Sequence, residues 1–249
     1  MTSFLLKIVA MITMTCDHLG DALFNHLNIL NYIGRISFPI FAFQLTQGYL
    51  HTKNKGKYGI RLFLFALISQ IPFALFIQMF NNDGSYKLNI FFTLLLGFIC
   101  IYVYDFMLHF NQDPKRQNQL ITEKESYSLF NSYYLKKLIA VIAVLCIAYL
   151  GDVIHVDYGL WGILIIFSFY LFRTDKLAMT LSFIVLVILK YGIWIIQYGF
   201  QIEYILLATF TMASLFFITK YNGKKGKNLK YLFYLFYPIH LLLLYFIFK

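Results

Sequence analysis

The sequence predicts an all-α, polytopic integral membrane protein: a bundle of about nine transmembrane helices forming one membrane domain over 1–249. Three observations lead there. Of 249 residues, 60% are hydrophobic and only 13% charged, against about 45–50% apolar and about 25% charged in a soluble domain. The mean hydropathy is +0.69. The apolar residues also fall in runs approaching the roughly 20 residues a membrane helix needs, and an open chain satisfies its own backbone in lipid only as helices. This composition excludes a soluble enzyme, a disordered chain and a disulfide-stapled secreted domain. Cys16, Cys100 and Cys146 all lie in apolar runs and form no metal-type pair, so neither a disulfide framework nor a metal site is expected.

Taken in order, nine apolar segments are read: roughly 3–24, 32–50, 60–80, 88–110, 136–151, 158–173, 177–192, 202–219 and 231–248. The first lacks the small-residue cleavage site of a signal peptide and stays as a helix. In the second, Pro39 is expected to bend the helix and free backbone carbonyls. Two segments are short, and 190–203 is apolar without being a clear span, so the count ranges from eight to ten. The longest polar stretch, 111–135, is expected to be a cytoplasmic loop with room for a short surface helix.

The formal net charge of +10 invites a nucleic-acid reading, but its distribution argues against one. With the N-terminus inside, Lys7, the 53–61 loop, the 115–137 region, Arg173, Lys176 and the 220–230 loop all face the cytoplasm. These hold 17 of the 21 basic residues, leaving Arg35, Lys87, Lys190 and Lys249 outside. That bias predicts an N-inside, C-outside orientation with basic groups near anionic lipid. The wealth of Phe and Tyr, with Ile, Asn and Lys, fits an A+T-rich coding sequence and a bacterial plasma membrane.

Charged groups within a span are costly and are therefore candidate sites. The first segment carries Lys7, Asp17, His18 and Asp21. At about 100° per residue Lys7, His18 and Asp21 share one face, with Asp17 to its side, and Lys7 lies about 16 Å along the axis from His18. A His beside a carboxylate can act as a general base; Asp17, Asp21 or a carboxylate from another helix could orient it. Arg35, at the outer end of the second segment, needs an anionic partner: an ion pair with Asp17 or Asp21, or an oxyanion or acidic substrate. The loop holding Lys53, Lys55, Lys57 and Arg61 suits phosphate groups, although no Walker A or GxGxxG pattern is present. Asn89 and Thr93 suit helix–helix hydrogen bonds. His240 lies near the middle of the last segment and is a second candidate base.

The stretches Lys7–Gly20 (KIVAMITMTCDHLG), Ile33–Phe43 (IGRISFPIFAF), Gly48–Asn54 (GYLHTKN), Phe65–Phe73 (FALISQIPF), Asn89–Leu94 (NIFFTL), Asp157–Gly159 and Phe236–Leu241 (FYPIHL) run in order from first segment to last. Together they resemble the TraX family of integral membrane acetyltransferases, which acetylate a pilin subunit and are related to the acyltransferase-3 group. In that group a basic residue, ten intervening residues and a His stand on the first helix, a spacing that Lys7 and His18 match.

The resemblance implies an acetyl-CoA-dependent acyltransferase. Cytoplasmic acetyl-CoA would bind with its phosphates near Lys53, Lys55, Lys57 and Arg61 and with Lys7 lower on the first helix. His18 would deprotonate an acceptor amine or hydroxyl, on a pilin-like peptide or a cell-surface glycan, at the outer side. Arg35 would support developing negative charge or pin the Asp. Two other readings stand beside it: a small-solute transporter coupling through Asp17, His18 and Arg35, and a non-catalytic pilus- or envelope-assembly membrane protein.

Overall fold

The computed structural model describes residues 1–24, 26–80, 86–109, 123–227 and 229–249, with side chains described except at 109, 123–132 and 230. Ten helices account for nearly all of these: α1 (Ser3–Leu23), α2 (Ile29–Gly34), α3 (Ser37–His51), α4 (Lys55–Gln78), α5 (Ile90–His109), α6 (Glu123–Val153), α7 (Gly159–Leu171), α8 (Lys176–Tyr198), α9 (Ile202–Ile218) and α10 (Lys230–Phe248). Among the described residues there is no strand, and the nearest thing to one is an isolated bridge between Leu88 and Val156. Six helices, α1, α4, α5, α6, α8 and α10, are long and apolar enough to cross a membrane.

The expected segment 32–50 is two helices. Its apolar run is continuous, but the chain turns at Arg35–Ile36, where Asn31 and Arg35 bind back to Asp17. Gly34 permits the turn to close: a Cβ there would overlap the Asp17 side chain. The expected segment 136–151 belongs to the 31-residue α6, so the helix begins within the expected loop 111–135. Residues 111–122 of that loop lie outside the described residues. The ambiguous stretch 190–203 is mostly the end of α8, which runs unbroken to Tyr198 and stops at Gly199, whose φ is 84°.

α3 is the central post. It packs on α1, α5, α7 and α9, and Phe38, Ile40, Ala42, Phe43, Leu45, Thr46 and Tyr49 are all buried along it. α4 and α10 pair beside α1, while α6 and α8 lie at the periphery. There the large apolar residues point outward: Leu138, Ile142, Leu145 and Tyr149 on α6, and Leu181, Val185 and Ile188 on α8 are about half exposed or more. Close approach of α5 to α7 depends on Gly97, whose missing Cβ leaves room for Ile166.

The start of α1 is clamped by the connection between α9 and α10. Ser3 N–H donates to Lys224 C=O (2.8 Å), Phe4 N–H to Lys225 C=O (3.1 Å), and Asn222 N–H to Met1 C=O (3.0 Å). The terminal ammonium donates to Lys220 C=O. First-turn N–H groups of a helix lack intrahelical acceptors, and here a neighbouring connection supplies them. Gly226, with φ 71°, lets the connection pass against Thr2 and Phe4. The clamp brings the lysines of 224–227 beside the foot of α1.

Candidate active site

A cavity of about 430 Å³ lies between α1, α3, α4, α5 and α10. At one end its wall is cationic and polar: Lys7 from α1, His51 from α3, Tyr58 and Arg61 from α4, with Leu62 beside Arg61, and Lys225 and Lys227 from the clamp. Gln44 and Leu45 come next along α3, and farther from the clamp the wall is apolar, with Met14, Ile90, Phe91, Leu94 and Tyr237. Lys7 Nζ sits 4.9 Å from the Phe233 ring, and the Arg61 guanidinium 5.5 Å from the Tyr58 ring. Two buried donors in this wall have no acceptor, Gln44 Nε2 and Arg61 Nε. Gln44 is otherwise held, since its Oε1 accepts from the Ser3 hydroxyl at 2.6 Å. Buried donors are rarely left unpaired, because each costs about 1–3 kcal/mol. Both atoms are closed off from the cavity itself, and Arg61 is also hydrogen-bonded to Tyr234, so neither atom is a ligand contact.

His18 stands one turn beyond Met14 on α1; neither it nor His240, Asp17, Asp21 or Arg35 is in the cavity wall. Its Nδ1 is 2.7 Å from His240 Nε2 on α10, and the edge of Phe76 packs on its ring with centroids 5.3 Å apart. Tyr237, which closes the cavity, has its ring centroid 6.3 Å from that of His18 and 5.6 Å from that of His240. His240 Nδ1 is 2.9 Å from Phe236 C=O. The two candidate bases thus form one pair, joining the first helix to the last.

Asp17 and Asp21 do not hydrogen-bond to His18. Asp17 Oδ1 accepts from Arg35 Nη2 at 2.5 Å, forming an ion pair. The Asn31 amide donates to the Asp17 carbonyl (3.0 Å) and to Asp21 Oδ1 (2.7 Å), and Arg35 Nε donates to Asn31 C=O (3.2 Å). This network joins α1 to the α2–α3 turn. An Arg35–Asp17 ion pair is present, and the hydrogen-bond partner of His18 is His240.

Of the expected phosphate-binding set, Arg61 and Lys7 line the cavity; Lys53, Lys55 and Lys57 are not in its wall. Lys55 Nζ donates to Tyr49 C=O and rests 3.9 Å from the Tyr49 ring, so it caps the end of α3. Lys225, Lys227, His51, Tyr58 and Gln44 were not legible as a set, because the clamp that gathers them joins residues some 220 positions apart in the chain. Asp105 was also missed. Its two carboxylate oxygens accept from Tyr49 (2.9 Å) and Tyr170 (2.8 Å), tying α3, α5 and α7 together near the basic end. A carboxylate inside an apolar run was the available signal.

Fold and composition define a multi-pass, all-α membrane protein with a basic cavity whose wall includes Tyr237, the neighbour of a histidine pair. The family model described as "TraX protein" matches residues 3–248, and the chain belongs to the TraX family. It is 32% identical over 114 residues to the probable fimbrial assembly protein FimC, serogroup H1, of Dichelobacter nodosus, a match covering 41% of this chain and 46% of the other. It is 35% identical over 101 residues to an uncharacterised protein of Rickettsia prowazekii, covering 40% and 36% respectively. The chain therefore spans less than half the length of these curated relatives. No solved structure matches it significantly.

Proposed function

We propose that the protein is a membrane acetyltransferase of the bacterial cell membrane, moving an acetyl group from cytoplasmic acetyl-CoA to an acceptor amine or hydroxyl at the outer side. The observation that carries this reading is the cavity: its wall gathers Lys7, Arg61, Lys225 and Lys227, and it also holds Met14 and Tyr237, which lie beside His18. The basic set suits acetyl-CoA, with Lys7, Arg61, Lys225 and Lys227 toward its phosphates. In this reading the protein crosses the membrane nine times, N-terminus inside and C-terminus outside, with the basic end open to the cytoplasm.

His18 acts as general base through Nε2. It takes the proton of the acceptor nitrogen or oxygen as that atom bonds to the acetyl carbonyl carbon and the carbon–sulfur bond breaks, and returns the proton to the departing thiolate. Arg35 and Asp17 act at a distance, holding α1 against the α2–α3 turn and so setting the depth of His18. The likeness to a probable fimbrial assembly protein favours a pilin-like peptide as acceptor over a surface glycan. It also supports a second reading, a non-catalytic part in fimbrial assembly.

The test is transfer of label from acetyl-labelled CoA in membranes carrying the wild type or His18→Gln. Label moving to an acceptor, or released as acetate, with the wild type alone supports catalysis. Equal label in both membranes overturns it. Unaltered fimbriation in the His18→Gln strain favours the non-catalytic reading.

A further inference from the structure

We infer that His240 is a positioning residue that fixes the ring tautomer of His18, leaving Nε2 of His18 as the bare nitrogen that receives the proton; this rests on the acetyl-transfer reading. The argument starts from a backbone oxygen. Phe236 C=O can only accept, and it lies 2.9 Å from His240 Nδ1, so that nitrogen carries the hydrogen. A neutral imidazole has one N–H, which makes His240 Nε2 an acceptor. His240 Nε2 is 2.7 Å from His18 Nδ1, so His18 Nδ1 must donate. The lone pair of His18 is then on Nε2. One carbonyl on α10 thereby determines the protonation of two rings.

The geometry suits this chain of bonds. The two histidine rings lie within 18° of parallel with centroids 4.9 Å apart across a 2.7 Å N···N contact, an edge-to-edge, in-plane arrangement. His240 is 6% exposed, and the Phe236 ring stacks on it at 4.8 Å and 12°. The Phe76 edge bears on His18. An orienting carboxylate would do the same for the tautomer, but here both nearby carboxylates are engaged by Arg35 and Asn31.

The experiment uses the full chain in lipid nanodiscs with nitrogen-15 histidine. The sequence has six histidines, and loss of signals in His18→Gln assigns the His18 pair. The wild type should show His18 protonated on Nδ1 and bare on Nε2. His240→Leu should release the tautomer and lower kcat by about 10²–10⁴, the range of general-base catalysis, with KM for acetyl-CoA little changed. His240→Gln offers an amide oxygen to His18 Nδ1, and should keep the wild-type spectrum and recover kcat to within about tenfold of it. A wild-type proton on His18 Nε2 overturns the inference, as does an unchanged His18 spectrum in His240→Leu. The expected spectra with no acetyl transfer in any variant would uphold the tautomer assignment and overturn the enzymatic reading.

Discussion

Asp17 and His18 are consecutive, yet they serve different neighbours. Successive residues on a helix point about 100° apart, so Asp17 turns to Arg35 and Asn31 while His18 turns to α4 and α10. Their substitutions should separate stability from chemistry. Asp17→Asn removes the charge that Arg35 binds; hydrogen bonds to charged groups are worth about 1.5–3 kcal/mol. It should lower the unfolding midpoint in detergent well below that of the wild type. Asp21→Asn alters one bond to Asn31 and should cost less. His18→Gln should leave the midpoint near the wild type and lower acetyl transfer by about 10²–10⁴. The assignment of roles fails if Asp21→Asn proves the more destabilised of the two carboxylate variants, or if His18→Gln keeps activity within about threefold.

Helices show where sequence reading succeeded and where it stopped. α1, α9 and α10 lie within a residue or so of their apolar runs, because each run ends where polar residues begin. The α2–α3 break was hidden because it is made by tertiary bonds, Asn31 and Arg35 to Asp17, inside an unbroken apolar run. The lysines posed the same difficulty. The expected loop 53–61 is mostly the start of α4, which begins at Lys55; 53–57 and 224–227 are both short, basic and glycine-containing, and nothing local to either says which faces a cavity. The carbonyls that receive Ser3 and Phe4 N–H decide it, by holding Lys225 and Lys227 beside Lys7. Neutralising the two sets should therefore differ. A charge-assisted contact of about 1.5–3 kcal/mol corresponds to at least tenfold in affinity, so Lys225→Gln with Lys227→Gln should raise KM for acetyl-CoA by tenfold or more. Lys53→Gln with Lys57→Gln should change it little; Lys55 is left intact because it caps α3. A larger KM effect from the 53–57 pair would move the donor site to that stretch.

For the whole molecule the question is which end of the bundle meets the cytoplasm. α3, α7 and α9 have 15, 13 and 17 residues, about 20–26 Å at 1.5 Å per residue, short of a hydrocarbon core of about 30 Å. Counting crossings by length is therefore indecisive, but sidedness follows from contacts. Met1 bonds to Lys220 and Asn222, so the N-terminus and the α9–α10 connection share one end. α10, at 19 residues and about 28 Å, then carries the C-terminus toward the other end. α4 starts at the basic end with Arg61 and carries the chain away from it toward Tyr86, which is 87% exposed. In the proposed orientation the lysine bias puts the basic end in the cytoplasm, on the side of the proposed donor. In a background with Cys16, Cys100 and Cys146 replaced, a cysteine at Tyr86 should react with an impermeant maleimide on intact spheroplasts. One at Lys224 should react only after permeabilisation. The reverse pattern would open the cavity to the outside, away from any supply of acetyl-CoA, and would overturn the donor assignment together with the orientation.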